Sequence, residues 1–385
     1  MRILTRGNKE EMATKTVCYL LMLVGSLASA PAIAQRLDEG RARPLIEGEV
    51  NPTNVVVLPQ RGDPSSAQRA IDGTPDAITL RLRVRIADGS TRTDYTVVIK
   101  DKARVVVARY TDADFRAKGE LWSTPVPGAT AVVQLEIPGV DPPGVSLAVT
   151  GVISQRKPRD PMLSIIHGFD LETMDSLRLE KPEIFAAGLP VAKLSFVRDG
   201  RSLVCTGFMI DDDRMLTNEH CINTQSGCDT AVAIFGFVST AITTDQLRDQ
   251  TTTCSKLVDK DPILDVALIQ LANSPGTRWG RLKLSTKTPS VNELTLIIQH
   301  PNGDIQHVSR KDCFIARYPV RGLAKDTDFG HECGTMGGSS GSPVLSRSSM
   351  EVVGLHHFGV DPQDKDWSNQ NRAVRIELIR DRLGI

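Results

Sequence analysis

Three residues in this chain have the types and settings that nucleophilic catalysis needs. Ser340 stands in Gly337-Gly338-Ser339-Ser340-Gly341-Ser342-Pro343-Val344, where glycines let the backbone turn sharply and leave amide N–H groups to face a developing oxyanion. Alone, such a run reads equally as a turn or a linker. His220 lies in Met215-Leu216-Thr217-Asn218-Glu219-His220-Cys221, and Asp265 in Leu264-Asp265-Val266-Ala267-Leu268-Ile269-Gln270-Leu271. A serine nucleophile requires a base to take its proton and an acid residue to fix the tautomer of that base, and His220 and Asp265 fit those roles. Asp259 and Asp261 are near rivals read as loop charges. Only Asp265 abuts an apolar run, Val266 to Ile269, that buries a carboxylate behind an imidazole.

A competing arrangement makes Ser339 the nucleophile of a G-x-S-x-G elbow over Gly337–Gly341. That elbow needs a helix after it and a distant downstream acid and histidine. Pro343 and the β-rich Val344-Leu345 disfavour the helix, and the later histidines, His356 and His357, follow too soon. His300, beside Pro301 and Gly303, reads as a turn histidine. His167, His307 and His331 have no context that suggests chemistry.

The order His, Asp, Ser is that of chymotrypsin-like enzymes, whereas α/β hydrolases run Ser, Asp/Glu, His. From about residue 188 to 385 the chain resembles the trypsin-like serine peptidases, and more closely their bacterial glutamyl endopeptidase and V8-like branch. The matching segments are Leu216 to Cys221, Leu264 to Leu268, Gly338 to Pro343, Ile298 to Gly303, Val353 to His357 and Asn371 to Ile376. The resemblance implies a secreted serine endopeptidase that acts through an acyl-enzyme on protein or peptide substrates, without a cofactor. It implies oxyanion donors at the backbone N–H groups of Gly338 and Ser340, and a histidine-loop bridge between Cys205 and Cys221. Thr335 and His356 match the threonine and histidine that hold the substrate carboxylate in glutamyl endopeptidases, which implies a preference for Glu at the cleaved position. A trypsin-type pocket would instead place an acidic residue six positions before the nucleophile, where this chain has Gly334; a basic side chain would have to be recognised from elsewhere in the chain. Digestive enzymes carry an Asp immediately before the nucleophile to receive a newly cut N-terminus; here that position is Ser339, whose hydroxyl cannot make the ion pair. A non-catalytic binding or regulatory homologue, and a secreted esterase, are the alternatives.

Length and composition allow two domains of an ordinary soluble protein. Net charge is formally zero, so no global field draws nucleic acid or anionic membranes. Basic residues up to Lys15, an apolar run from Val17 to Val24 and small Ala-rich residues after it read as a signal peptide over 1–34, cleaved after Ala30 or Ala34. The run is short for a membrane span, which sets a retained anchor second; lipidation at Cys18 lacks its context. The chain is therefore expected to be secreted or periplasmic and off the membrane once the signal is removed. Cys205, Cys221, Cys228, Cys254, Cys313 and Cys333 remain, an even set in an exported chain, so disulfides are the default. Six cysteines allow fifteen connectivities; neighbour order suggests Cys228 with Cys254 and Cys313 with Cys333. No C-x-x-C pair or paired-histidine spacing points to a metal site.

Around these residues the sequence pattern is all-β. Residues 35–77, rich in Pro, Gly and Asp, read as an extended lead-in. Residues 78–155 carry short strand-like runs and read as a small β-sandwich, either a domain or a propeptide. In the first run Ile78, Leu80, Leu82, Val84 and Ile86 alternate with Arg81, Arg83 and Arg85, a basic stripe read as a solvated face, or as a surface for an acidic partner. Residues 156–187 read as a linker, and 188–385 as a chymotrypsin-like double β-barrel closed by a C-terminal helix over Glu377 to Leu383, with the catalytic residues in the cleft.

Overall fold

The computed structural model describes residues 43–58, 67–138, 144–156, 163–164, 167, 170–360 and 370–385. The signal peptide, its cleavage sites and Cys18 lie outside the described residues, as does much of the lead-in. Among the described residues no helix is long and apolar enough to cross a membrane.

The alternation in Thr79–Ile86 does what its period dictates. Leu80, Leu82 and Val84 are buried on one face, against Val97, Ile99, Val133 and Leu135 from a second sheet. The first sheet runs Leu45–Val57, Leu147–Gln155, Thr79–Ile86 and Glu120–Trp122; the second runs Gln68–Asp72, Thr130–Glu136, Thr96–Asp101 and Val106–Thr111. The result is the expected sandwich. The basic stripe is not a solvated face, however. Arg81 is buried, with Nε donating to the Ser123 carbonyl at 2.9 Å and Nη2 to the Thr230 carbonyl at 2.7 Å, in the next structural body. Burial lowers its pKa to about 10. Arg83 is half-buried under the Trp122 ring, and only Arg85 of the three is exposed.

The lead-in holds a 13-residue strand, Leu45–Val57, with a structural task. Its first part pairs with Arg201–Met209, from Leu45 opposite Val204 to Glu49 opposite Arg201, and the rest pairs with Leu147–Gln155. One strand thus belongs to both bodies. At the crossover, Glu47 is buried against the Lys193 ammonium, and Gln155 Nε2 lies 2.8 Å from Glu47 Oε2, 2.8 Å from Ser195 Oγ and 3.1 Å from Ser202 Oγ.

The first barrel comprises Val191–Arg198, Arg201–Met209, Arg214–Thr217, Val266–Leu271, Thr251–Asp261 and Val232–Phe235. It closes because Val191–Arg198 pairs with both Arg201–Met209 and Val232–Phe235. Its interior is apolar, from Leu194 and Phe196 to Ile269. The second sheet, in the order Glu172–Thr173, His307–Ser309, Thr295–Gln299, Pro343–Ser346, Val352–Phe358, Asn371–Arg375, Asp328–His331 and Ile315–Val320, curls into a half-barrel. Residues expected to be linker are packed onto it: Met174, Leu177 and Ile184 are buried in the core between the barrels, and Pro182–Gly188 is helical. The C-terminal helix, Ile376–Leu383, buries Ile376 and Ile379 in that same core.

The six cysteines among the described residues are paired, Cys205–Cys221, Cys228–Cys254 and Cys313–Cys333. Cys205–Cys221 closes a short loop ending one residue after His220, worth about 3 kcal/mol in the chain-entropy account. Alkylation of the native protein without reductant is expected to label no thiol, and the Cys205→Ser/Cys221→Ser double variant to lose about that much unfolding free energy in a denaturant titration. Thiols labelled in the native protein would contradict this pairing.

Candidate active site

Strand register brings His220 to Asp265. Arg214–Thr217 pairs with Val266–Leu271 so that Thr217 faces Ala267, which leaves the residues just after the first strand beside the residue just before the second. Asp265 turns through a positive φ of 45° and aims its carboxylate back at the His220 loop. His220 Nδ1–H donates to Asp265 Oδ2 at 2.8 Å and the His220 backbone N–H to Oδ1 at 2.9 Å, while Asn218 Nδ2 donates to the Asp265 carbonyl at 2.9 Å. Both carboxylate oxygens are thereby engaged. The rivals are spent elsewhere, since Asp259 and Asp261 both accept from Arg382 of the C-terminal helix.

Ser340 sits on a turn whose shape two glycines make possible. Gly338 has φ +90° and Gly341 φ +88°, and a side chain on either would collide with backbone: with the His300 carbonyl at 2.8 Å for Gly338, and the Thr206 carbonyl at 2.0 Å for Gly341. Thr206 clamps this turn to the first barrel, its hydroxyl donating to the Gly338 carbonyl at 2.9 Å and its N–H to the Ser340 carbonyl at 2.8 Å. The Asn302 N–H holds the Gly337 carbonyl at 2.6 Å. Among the described residues, the N–H groups of Gly338 and Ser340 are not used in any hydrogen bond. The elbow alternative fails on the element that follows: Pro343–Ser346 is a strand. Ser339 points into the protein, where its hydroxyl donates to Gln299 Oε1 at 2.5 Å and accepts from the Met336 N–H at 3.2 Å. Gln299 Nε2 in turn binds the Gly334 carbonyl at 2.9 Å, so a neutral amide braces this loop where an ion pair would otherwise stand.

Two residues that spacing did not single out complete the site. His357, fully buried, has Nδ1 3.2 Å from Asp265 Oδ2 and Nε2 2.7 Å from Asp328 Oδ2. Burial alone would lower its pKa, but Asp328 and Asp265 outweigh it and raise it to about 9, so His357 is a cation between two carboxylates. Burial likewise pushes the Asp265 carboxyl up, and His220 and His357 overcome this to hold it well below the usual carboxylate range.

Thr335 and His356 are both buried. His356 shares a hydrogen bond with His331, Nδ1 to Nε2 at 3.1 Å. Burial, then His331 itself, holds His356 well below the usual imidazole range, and burial, with Arg372 and His357, lowers His331 to about 3. Both rings are neutral near pH 7. His300 is the expected turn histidine, Nδ1 bonded to the Asp304 carbonyl at 3.1 Å. His307 bonds the Ile305 carbonyl, and His167 contacts Glu332.

Residues 182–370 match the family of lysyl endopeptidase C-terminal domains. Among curated proteins, the chain is 30% identical over 201 residues to secreted RxLR effector protein 73 of Plasmopara viticola, a match covering 46% of this chain and 47% of that one. It is 28% identical over 171 residues to the uncharacterized protein y4fB of Sinorhizobium fredii, covering 40% of this chain and 25% of the other. The chain thus spans about half the length of the first relative and a quarter of the second. Among solved structures, the inactive form of the Rv3671c protease of M. tuberculosis aligns with a TM-score of 0.41 at 18% identity, over 54% of this chain and 94% of that one. A Glu endopeptidase aligns with a TM-score of 0.41 at 17% identity, over 57% of this chain and all of the other. With a closed barrel facing a half-barrel, a terminal helix and the family match over 182–370, this part of the chain is similar in fold and sequence to a trypsin-like serine peptidase domain.

Proposed function

We propose that the chain is a secreted serine endopeptidase in which Ser340 is the nucleophile, His220 the general base and Asp265 the residue that fixes its tautomer. The observation that carries this reading is the state of His220: Nδ1–H is committed to a buried carboxylate, and Nε2 has no hydrogen-bond partner among the described residues. Its lone pair is therefore available for the Ser340 proton as Oγ attacks the scissile carbonyl. The carbonyl oxygen, now negative, would be met by the Gly338 and Ser340 N–H groups. His220 then protonates the leaving amine, leaving an acyl ester on Ser340, and water activated by the same imidazole releases the acid. Asp265, held ionised by His220 and His357, presents its carboxylate to the imidazolium that forms.

Three disulfides, the signal-like N-terminus and a relative named as a secreted effector support export. The sandwich is read as a permanent domain, because the strand Leu45–Val57 and the buried Glu47–Lys193 pair tie it to the first barrel. A preference for Glu rests on Thr335 and His356 as donors to a carboxylate. Against it, His356 is neutral and already bonded to His331, so this pair offers dipoles and no full charge.

Ser340→Ala is expected to lower kcat on the order of 10⁶-fold and to abolish labelling by a fluorophosphonate, while secretion and melting temperature stay those of the parent. Ser339→Ala should be milder, since it loses only the brace to Gln299. An unlabelled parent protein would favour the non-catalytic alternative, and turnover of esters without peptides the esterase. A dead Ser339→Ala beside an active Ser340→Ala would restore the elbow.

Because the pKa of His357 in the folded chain is raised above its ordinary value of 6.5 to about 9, its stabilisation is complete below the ordinary value and disappears as pH rises through about 9. The melting temperature of the parent is expected to fall between neutral pH and about pH 10, and His357→Gln to be less stable at neutral pH and to lose that slope. Parallel profiles for parent and variant would show that His357 carries no charge.

A further inference from the structure

Gly334 stands six residues before Ser340, in the segment that runs through Thr335–Met336 into the oxyanion turn. Its carbonyl is fixed from behind by Gln299 Nε2 at 2.9 Å and Ser309 Oγ at 2.7 Å. On the side where a side chain would project, a methyl group replacing the glycine hydrogen would meet Asp170 Oδ1 at 2.7 Å, with Ser309 Oγ next at 3.7 Å. A carboxylate does stand at this place, delivered from 164 residues upstream.

The state of that carboxylate is unusual. Asp170 is partly exposed as a residue, yet both its oxygens are buried, and among the described residues they lie beside the neutral Ser309 hydroxyl without a hydrogen bond of good geometry. Among the described residues no Lys, Arg or His forms an ion pair with it. The nearby cations are engaged elsewhere: Arg310 holds Glu172 at 3.0 Å and Glu180 at 3.6 Å, and Lys311 lies 3.6 Å from Glu172. Burial raises the Asp170 pKa and the neighbouring Asp312 and Glu172 add to this, against the Ser309 hydroxyl. An inward-facing carboxylate without a counter-charge is a site for a cation.

We infer that Asp170, carried by the segment ahead of the first barrel and outside the region matched by the peptidase family, is the specificity-determining residue of this enzyme: its carboxylate receives the ammonium or guanidinium of a Lys or Arg on the acyl side of the cleaved bond. This rests on the peptidase reading above. A glutamate side chain in the same pocket would set two carboxylates against each other, with only the neutral His356 and Thr335 to offset the repulsion.

The test is a panel of peptides that differ only at the cleaved residue, Lys, Arg, Met or Glu, with the full chain and two variants. The parent is expected to cleave after Lys or Arg on the order of 10²-fold better than after Met, by kcat/KM, and that ratio to collapse toward one in Asp170→Asn. The second variant, Asp170→Gly/Gly334→Asp, moves the carboxylate across the contact onto the wall and should restore the ratio, which a merely structural role for Asp170 would not do. Melting temperatures identify a variant that fails to fold, and the relocated carboxylate then decides. A parent that prefers Glu or Met, a ratio unchanged in Asp170→Asn, or no restoration in a folded double variant overturns the assignment of Asp170. Fluorophosphonate labelling of Ser340 separates the two failures: a labelled enzyme with another preference leaves the peptidase standing, whereas an unlabelled one that cleaves no peptide removes both.

Discussion

A carboxylate with almost no access to water must be neutralised by what surrounds it, and Asp265 imposes that condition on both barrels. Ionised, it needs donors at both oxygens, and both barrels contribute them. The first barrel offers His220, by ring and by backbone, and the second offers His357 from the strand Val352–Phe358. The relative placement of the barrels is therefore set by a requirement of electrostatics as well as by the apolar core between them. His357 in turn would have only Asp265 to offset its charge without Asp328, one strand beyond Asn371–Arg375. His220, Asp265, His357 and Asp328 form one linked chain, so that removing a member leaves its neighbour short of a partner in the interior.

The loop that carries Ser340 obeys a second constraint. Its conformation keeps two amides unpaired among the described residues, which no backbone adopts without compensation nearby. Thr206, Asn302 and Gln299 supply that compensation by engaging the carbonyls of Gly334, Gly337, Gly338 and Ser340 and the Ser339 hydroxyl, which leaves the two N–H groups at the place where negative charge would develop. Preorganisation of this kind requires no movement when a substrate arrives.

What could be read from the sequence follows from how local each feature is. Ser340, His220 and Asp265 stand on short turns whose glycines, strand ends and apolar flanks are contiguous, so their settings are visible in a few residues. Neighbour order suggested Cys228 with Cys254 and Cys313 with Cys333, and the resemblance implied Cys205 with Cys221; all three close short loops. His357 was not distinguished from His356, since which ring faces Asp265 and which faces His331 depends on the register of three strands brought together from residues 328 to 375. Arg81 shows the same limit: alternation tells which residues share a face, but not that a second body covers the polar one. Asp170 was invisible because its partner position, Gly334, has no side chain to suggest a contact. Proline and glycine content led residues 35–77 to be read as a lead-in, although Leu45–Val57 pairs along nearly its whole length.

That strand has a consequence for solubility. Arg201–Met209 already pairs with Val191–Arg198 along one side, and its other side is covered over 201–204 only by Leu45 to Glu49. Leu147–Gln155 is covered in the same way by the remainder of the strand. A chain shortened past Val57 would uncover the edges of two sheets at once, each a row of unpaired backbone donors and acceptors that another molecule can extend. The first ordered strand thus serves as a guard against edge-to-edge aggregation, and it does so for both bodies with a single stretch of backbone.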